Sequence, residues 1–269
     1  MTMRLQVRHA THFEYSSGLD YAVQRLLLTP LSFASQRVVN WKITAPGMEK
    51  ALAYSDGYGN KVHLASLANH IGSMDVVAEG IVECSDAQGL VKGIPETAPR
   101  ALYLRQTAAT LPSEAMLTLA ADSPSGDELS FLHGMMQHIH QRVEYQLGTT
   151  DAQTTAAEAF DRGSGVCQDH THIFLGITRA LKIPSRYVTG YLVTGAGSTA
   201  TAAHAWAEVL VPDLGWVGFD VANCLCPTDL YVRVAAGIDA ASVTPIRGSR
   251  RGGVAETMTV EVKVEIAQQ

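Results

Sequence analysis

The sequence of 269 residues predicts an α+β protein, in which a β-rich N-terminal part precedes a part that mixes helices and strands. Two observations lead to this prediction. Apolar and polar residues alternate near both ends of the chain, which is the pattern of half-buried strands. In the middle, apolar residues recur every three or four positions, which is the pattern of a helix with one buried face. Hydrophobic residues make up 46% of the chain, enough to form a substantial core.

The N-terminal part reads as strands separated by short polar turns. Residues 4–15 alternate between apolar and polar side chains, and further strand-like runs cover residues 25–29, 37–44, 61–67 and 75–84. Glycine, serine and asparagine between these runs are typical of tight turns. We therefore predict an antiparallel β-sandwich-like domain, or a small barrel, at residues 1–90.

A connecting segment and a mixed core follow the β-rich part. Residues 91–112 contain three prolines and show little periodicity, which is typical of a linker. We assign residues 113–235 to the core. Its predicted helices run from residue 127 to 143, over residues 155–162, and from about Cys167 to the stop at Pro184.

Strand-like patterns return after the last predicted helix. Three runs cover residues 186–194, 204–211 and 216–221. The remaining residues, 236–269, form a C-terminal extension in which residues 257–266 alternate strictly between apolar and polar side chains. The extension therefore ends in a predicted β-strand.

The composition of the chain limits which classes of partner and which cellular location we expect. The chain has 20 Lys and Arg against 26 Asp and Glu, and this formal charge of -6 argues against nucleic acid or an anionic membrane as partner. No apolar run is long enough for a transmembrane helix, and the first residues lack the apolar core of a signal peptide. Four cysteines are too few for a disulfide scaffold, so we expect a reducing compartment and a cytoplasmic location.

Cys167 is the candidate nucleophile. It follows a turn that contains Gly163 and Gly165, and it stands at the predicted first turn of a helix. The unpaired amides and the partial positive charge at a helix N-terminus favour the thiolate, which is the reactive form of cysteine. Taken alone, Cys167 could equally be a small apolar side chain at a helix start.

His204 and Asp220 lie at the ends of two predicted strands that a short turn joins. If the turn is centred on Pro212, the two residues are cross-strand partners, and their even separation puts both side chains on one face. A carboxylate beside an imidazole fixes its tautomer and stabilises its charged form, while the other ring nitrogen meets the thiol. A strand histidine and a carboxylate at a turn are separately ordinary; their combination with Cys167 is specific.

Several motifs, in this order, resemble the bacterial transglutaminase-like core, whose members are described as candidate cysteine proteases. The motifs are residues 165–172 (Gly-Val-Cys-Gln-Asp-His-Thr-His), residues 180–191, residues 204–208 (His-Ala-Trp-Ala-Glu) and residues 215–220 (Gly-Trp-Val-Gly-Phe-Asp). Residues 231–237 and 245–248 are similar to the tail that follows this core. Residues 4–84 are similar to the β-rich N-terminal domain that accompanies it, so the resemblance covers nearly the whole chain.

The resemblance implies a papain-like thiol fold, in which the cysteine helix packs against an antiparallel sheet. Cys167, His204 and Asp220 would then be the nucleophile, base and orienter of acyl transfer through a thioester. The leading hypothesis is hydrolysis of a peptide or amide bond, with a peptide or protein as substrate. The alternatives are transfer to an amine, as in a protein-glutamine gamma-glutamyltransferase, and a non-catalytic binding module on the same fold.

Three further residues are assigned to the surroundings of the nucleophile. By analogy with an aromatic position in the family, Tyr145 is a candidate second oxyanion donor beside the Cys167 backbone amide. Gln168 directly follows the nucleophile and is a pocket candidate. Trp206 has the parity to face the same side as His204, and both core packing and an aromatic surface beside the thiol fit it.

Cys224 and Cys226 depart from the family pattern, because no cysteines are expected just past Asp220. A C-x-C pair without a second ligand cluster is weak evidence for zinc, so we interpret both residues as packed free thiols, with a redox link to Cys167 as the alternative. The histidines lack a metal-binding motif, and no nucleotide-binding fingerprint is present. We therefore expect neither a metal nor a cofactor. The histidines concerned are His133, His138, His140, His170 and His172.

Overall fold

Strands dominate the chain on both sides of a central group of helices. The computed structural model describes residues 2–123, 126–193, 199–200, 203–253 and 255–267. The strands are β1 (Thr2–Thr29), β2 (Gln36–Thr44), β3 (Leu52–Ser55), β4 (Lys61–Ser85), β5 (Leu90–Val91), β6 (Glu144–Tyr145), β7 (Ser164–Gly165), β8 (Ser185–Leu192), β9 (Thr199–Ala200), β10 (His204–Val211), β11 (Gly215–Phe219), β12 (Tyr231–Gly237), β13 (Ile246–Gly252) and β14 (Glu256–Ile266).

The described residues contain four α-helices. They are α1 (Glu114–Ala121), α2 (Glu128–Arg142), α3 (Ala156–Arg162) and α4 (Cys167–Ala180), with short 3-10 helices at Met48–Lys50, Arg100–Leu104 and Ala241–Val243. Ser113, Asp127 and Thr155 cap the first three, because each side chain accepts from the backbone N–H three residues later. These caps confirm the helices predicted from residue 127 and over residues 155–162, whereas α1 was not predicted.

The first sheet is organised by its two longest strands, β1 and β4, which pair antiparallel over most of their length. Its order is β2-β4-β1-β14-β9, with β3 added to β4 and β13 to β1. The pairing of β1 with β4 is irregular between Glu14 and Leu19, and here the Ser16 N–H donates to the Ala255 carbonyl at 3.0 Å. The prediction of two separate strands at residues 4–15 and 25–29 is therefore wrong. The turn-like residues between Glu14 and Leu19 interrupt the register, but they do not end β1.

The two halves of the β1–β4 pair share one hydrophobic cluster. Phe13 and Met74 come from one half, Leu26 and Leu67 come from the other, and all four are buried. The sheet thus folds over itself as the two layers of a sandwich do. The predicted sandwich-like N-terminal part is confirmed in this form.

The second sheet carries the helices. Its order is β12-β8-β10-β11-β5, and all neighbours are antiparallel. Ile173, Phe174 and Ile177 of α4 share one core with Ala207 and Phe219 of the sheet, and all five are fully buried. Burial of this apolar area, at about 25 cal/mol per Å², holds α4 on the sheet. Helices packed on an antiparallel sheet confirm the predicted α+β class.

Two side-chain amides join the sheets along β12, which is the edge strand of the second sheet. The Gln36 amide accepts from the Arg233 N–H at 2.7 Å and donates to the Arg233 carbonyl at 2.9 Å. Asn60 makes the same pair of bonds to Ala236, both at 2.8 Å. Because buried backbone groups need partners, these amides continue the hydrogen bonding of the strand edge and fix the first sheet against the second.

The C-terminal segment returns to the first sheet. β14 pairs with residues 5–15 of β1, which confirms the strand predicted over residues 257–266. The boundaries proposed from composition at residues 90, 112 and 235 stay predictions. Among the described helices, none has the length and apolar character needed to cross a membrane.

Candidate active site

Cys167 is the first residue of α4, and the chain just before it is held tightly. The Asp169 carboxylate accepts from the N–H of Val166, the N-cap residue, at 2.8 Å and from the Thr150 hydroxyl at 2.7 Å. A Cβ at Gly165 would lie 2.8 Å from Asp169, so glycine is required there. The partly exposed Cys167 side chain thus lies at a fixed helix N-terminus, where the dipole and unpaired amides favour an anionic group.

The β10–β11 hairpin has a three-residue loop. Val211 pairs with Gly215, so the loop is centred on Asp213, whose φ of 62° lies in the left-handed region. The prediction of a turn centred on Pro212 is therefore wrong by one residue. A left-handed residue near the loop centre lets three residues, and not only two, close the hairpin.

His204, the first residue of β10, and Asp220, just after β11, are consequently diagonal neighbours and not direct cross-strand partners. Continuing the observed register puts Trp206 opposite Asp220. Because moving the turn by one residue moves the register by two, both side chains stay on one face. The His204 Nε2 donates to the Asp220 Oδ2 across 2.6 Å.

Asp220 is fully buried, and three donors converge on one of its oxygens. Besides His204, Oδ2 accepts from the Asn223 Nδ2 at 2.7 Å and from the Tyr231 hydroxyl at 2.6 Å. Burial by itself raises the pKa of Asp220, but the bond to His204, the charge of His204 and the other two donors outweigh it, and the pKa lies below its ordinary value. Asp220 is therefore anionic at neutral pH.

His204 lies between this carboxylate and the thiol, because both Asp220 and Cys167 interact with its ring and raise its pKa. With Nε2 directed at Asp220, Nδ1 is the ring nitrogen left for the sulfur. Burial by itself lowers the pKa of His204, but the two hydrogen bonds and the negative charges of Asp220 and Cys167 raise it to about 10. The structure therefore brings the three predicted residues together, and a charged imidazole beside a thiol is able to stabilise its thiolate.

Trp206 packs against the imidazole ring of His204. Its ring stacks on His204 with 6.3 Å between centroids and an interplanar angle of 30°. Gly190, which pairs with His204, leaves room for the indole, since a Cβ there would lie 2.6 Å from the Trp206 Cη2. At 2% exposure the indole offers no surface to a substrate, so the core-packing interpretation of Trp206 is the one that fits.

Tyr145 is partly exposed and lies next to the segment that leads into Cys167. Its backbone pairs in parallel with Gly165, two residues before Cys167, and its side chain is 49% exposed. Partial burial, with the negative charges of Cys167 and Asp220, raises the pKa of Tyr145. The phenol therefore keeps its proton and is available as a hydrogen-bond donor beside the sulfur.

Gln168 and His170 belong to the same first turn of α4. Gln168 is its second residue and is partly exposed. His170 is fully buried, and its ring nitrogens lie 2.9 Å from the carbonyl oxygens of Val166 and Val143. It also stacks on Tyr145 at 6.3 Å, so it ties the start of α4 to the segment that carries Tyr145.

Comparison with known protein families places these residues in context. The model of the Transglutaminase-like superfamily matches residues 117–221, a range that contains Cys167, His204 and Asp220. The model of the Bacterial transglutaminase-like N-terminal region matches residues 5–83, so the two together cover more than half of the chain. The chain belongs to the transglutaminase-like superfamily. The family resemblance of the sequence motifs is thereby confirmed.

Individual relatives align over almost the whole transglutaminase-like chain. An uncharacterized protein of Mycobacterium leprae is 25% identical over 280 residues, which cover 97% of this chain and 98% of that protein. An uncharacterized protein of Mycobacterium tuberculosis is 28% identical over 294 residues, with 98% and 93% covered. A crystal structure from Cytophaga hutchinsonii, named "a Putative Cysteine Protease", superposes with a TM-score of 0.78 at 20% identity and covers 100% of this chain and 92% of that one. That similarity shows a shared fold.

All four cysteines of this transglutaminase-like protein are free thiols. Burial, with the charge of Asp220, raises the pKa of Cys224, and burial, with the charge of Asp86, raises the pKa of Cys226 to about 11. Both are therefore protonated at neutral pH, which agrees with their interpretation as packed free thiols. Cys224 has a φ of 54°, in the left-handed region, so the loop after Asp220 turns sharply at this residue.

The clustered histidines make separate contacts in the transglutaminase-like core. The His140 Nδ1 lies 3.2 Å from the Val221 carbonyl, and the His172 Nε2 accepts from the Ala240 N–H at 3.1 Å. Within the part of the chain that the structure describes, no three His, Cys, Asp or Glu side chains are grouped so that they could hold a metal ion.

Two residues of the site, Asn223 and Tyr231, were not predicted from the sequence motifs. Asn223 had a local signal, since a residue three positions after an aspartate often bonds to its side chain, and its N–H does so at 3.2 Å. Tyr231 had none. It reaches Asp220 from the first position of β12, and only the sheet order brings the two together.

Proposed function

We propose that this protein is an enzyme that hydrolyses a peptide or amide bond through a thioester intermediate. Cys167 is the nucleophile, His204 the general acid and base, and Asp220 the residue that orients His204. The observation that carries the proposal is the 2.6 Å contact between the His204 Nε2 and the Asp220 Oδ2, on a ring whose pKa both Asp220 and Cys167 raise. This is the arrangement of nucleophile, base and orienter that acyl transfer uses on many folds.

In the first stage the Cys167 thiolate attacks the carbonyl carbon of the substrate. The tetrahedral intermediate collapses as His204 gives its Nδ1 proton to the departing amine, the carbon–nitrogen bond breaks, and a thioester to Cys167 remains. Asp220 stays ionised throughout and keeps the Nε2 proton directed at itself. In the second stage neutral His204 takes a proton from water, whose oxygen attacks the thioester, and the acid leaves with the thiolate restored.

The oxyanion of each tetrahedral intermediate would lie at the start of α4. The first intrahelical bond that uses the N-cap carbonyl is made by the Asp169 N–H to Val166, at 3.0 Å, so the amides of Cys167 and Gln168 precede the helical hydrogen-bond ladder. These amides, with the helix dipole, supply the donors that a developing oxyanion requires. The protonated Tyr145 hydroxyl is the second candidate donor.

Water is the acceptor that the exposure of the site favours. A transglutaminase must keep water from its thioester long enough for an amine to arrive, whereas Tyr145, whose backbone pairs with Gly165 just before the nucleophile, is itself 49% exposed. A peptide or protein is the proposed substrate class. The name of the Cytophaga hutchinsonii protein, which shares the fold, supports the same reaction class.

The test combines an activated ester with mass spectrometry of the intact protein. The wild-type protein should release a burst of p-nitrophenol from p-nitrophenyl acetate and carry one acetyl group on Cys167. Cys167→Ala should abolish both, and Cys226→Ala, which removes a thiol whose pKa is raised to about 11, is the matched control that should keep them. A burst that Cys167→Ala leaves unchanged would contradict the assignment.

A second measurement separates hydrolysis from amine transfer. The protein is incubated with a peptide library and a labelled primary amine, and the products are compared by mass spectrometry. Release of free acids and new peptide termini supports hydrolysis, whereas amine incorporated at glutamine replaces it with transglutamination. If none of the activated substrates forms an acyl-enzyme, the remaining hypothesis is a non-catalytic binding module on the same fold.

A further inference from the structure

Tyr231 and Asn223 bond to the same carboxylate oxygen as the base. The Tyr231 hydroxyl lies 2.6 Å and the Asn223 Nδ2 2.7 Å from the Asp220 Oδ2, which also accepts from the His204 Nε2 at 2.6 Å. The other oxygen, Oδ1, accepts from the Asn223 N–H at the longer distance of 3.2 Å. The convergence of side-chain donors on Oδ2 therefore concerns the atom that orients His204.

The ring of Tyr231 also contacts the base directly. Its centroid lies 6.0 Å from that of His204 and 5.5 Å from that of Trp206, with Trp206 in a T-shaped arrangement. Tyr231 is buried at the start of β12, and Gln36 of the first sheet holds Arg233, two residues further along the strand. The hydroxyl is thus presented from a rigid element.

Asn223 covers the hydrogen bond between Asp220 and His204 on the side that faces solvent. It is exposed, and its Nδ2 lies 3.4 Å from the His204 Nε2 as well as 2.7 Å from the Asp220 Oδ2. The amide therefore covers the Asp220–His204 bond where water would otherwise compete for it. Hydrogen bonds to a charged acceptor are strengthened when water is excluded.

We propose that Tyr231 and Asn223 are positioning residues, which hold the Asp220 Oδ2 ionised and in place so that His204 can keep the Cys167 thiol reactive. Both act through Asp220. The proposal rests on the proposed function, since it assigns the two residues a part in activating Cys167. It differs from the three-residue scheme because it makes the carboxylate dependent on two further donors.

The pH range in which this dependence can be measured follows from the groups around Asp220. Burial and the nearby carboxylate keep the pKa of Tyr231 and of Cys224 above their ordinary values, so both stay neutral in acid and at neutral pH. Removing the hydrogen-bond donor Tyr231 or Asn223 from the Asp220 carboxylate raises the pKa of Asp220. The acid limb of Cys167 reactivity should therefore shift to higher pH. The titratable groups that face Asp220 are His204 from β10, Cys167 from α4 through His204, Tyr231 from β12, Tyr145 from β6 and Cys224 from the following loop.

The experiment measures the rate of Cys167 alkylation by iodoacetamide from about pH 4 to about pH 9, read by mass spectrometry, so it needs no substrate. Tyr231→Phe keeps the ring and removes the hydroxyl, and we expect its acid limb about one pH unit above that of the wild type, with alkylation roughly tenfold slower below the limb. Asn223→Ala should shift the limb in the same direction. The matched control is Tyr191→Phe, which removes a buried hydroxyl 3.1 Å from the His9 Nδ1 and should leave the profile unchanged.

The outcomes separate this proposal from the proposed function. If Cys167 of the wild type is alkylated no faster than Cys226 at neutral pH, the reactive thiol itself is absent and both proposals fall. If the wild type shows an acid limb and the Tyr231→Phe and Asn223→Ala profiles overlay it, the positioning proposal alone is overturned. Should Tyr231→Phe not fold, as seen by circular dichroism, the exposed Asn223→Ala decides by itself.

Discussion

Replacing Glu208 by Gln would remove the negative charge at the centre of a buried cluster on the sheet that carries His204. Glu208 is fully buried in β10, with its Oε2 2.6 Å from the Arg186 Nε and its Oε1 2.7 Å from the Arg233 Nε. The Arg186 guanidinium also lies 3.9 Å over the ring of Trp216. The three charged residues come from adjacent strands β8, β10 and β12, so they hold together the strands around the site.

The structure gives the size of the effect by two routes. Burial by itself raises the pKa of Glu208, but the charges of Arg186 and Arg233 and their hydrogen bonds lower it from 4.5 to about 2. A difference of roughly 2.5 pH units between the unfolded and folded states corresponds to about 3 kcal/mol at neutral pH. Removing one member of a buried ion pair costs about 3–5 kcal/mol, because the partner charges stay buried. Both figures are a large share of the roughly 5–15 kcal/mol that stabilises a typical domain.

Urea unfolding at neutral pH, followed by circular dichroism, measures this loss for Glu208→Gln. The matched control is Glu265→Gln, whose ion pair with Lys263 at 3.0 Å is half-exposed and should change the free energy of unfolding by less than about 1 kcal/mol. Because the pKa of Glu208 is lower in the folded state, its contribution is complete above pH 4.5 and disappears as the pH falls towards about 2. The variant should lack that part of the acid dependence. A free energy within about 1 kcal/mol of the wild type would refute the reasoning.

Two further substitutions test the site. Asp220→Asn removes the charge that raises the pKa of His204. The rate of Cys167 alkylation and the turnover of an activated substrate at neutral pH should therefore fall about a hundredfold or more. Unchanged rates would contradict the role of Asp220. Gly190→Ala would put a Cβ 2.1 Å from the Val232 carbonyl and should cost about 1–3 kcal/mol of unfolding free energy, with slower Cys167 chemistry because Trp206 must move. Its control is Gly57→Ala, where nothing lies within 4 Å; equal effects of the two would refute the packing argument.

The residues of the candidate site were predictable to the extent that their signals are local. Cys167 at a helix start, and His204 and Asp220 on one hairpin, follow from residue type and strand parity, which survive a misplaced turn centre because the register moves in steps of two. The direct cross-strand pairing was wrong because the loop is centred on Asp213, in the left-handed conformation, and therefore lies one residue later than a turn centred on Pro212.

Signals that depend on distant parts of the chain were missed. β12 is buried at all seven positions, so its sequence shows no alternation that would mark a strand, and the contact of Tyr231 with Asp220 was not predicted. α1 has only Met116 and Ala120 buried, while Leu117 is exposed, and such a short helix leaves no clear apolar face. The long strand β1 was divided in sequence because residues 16–18 have turn composition, although Ser16 pairs with Ala255 in the folded chain.

The first sheet contributes to the site through β12. Gln36 and Asn60 bond to the backbone of Arg233 and Ala236, and so fix an edge strand that would otherwise have one free side. Because Tyr231 begins this strand and donates to Asp220, the position of the carboxylate depends on packing between the two sheets as well as on the hairpin. Hydrogen bonds to buried backbone are costly to leave unmade, so loosening of the sheet contact would reach His204 through Tyr231 and Asp220. The β-rich N-terminal part thus contacts the same strand whose first residue, Tyr231, donates to the Asp220 Oδ2.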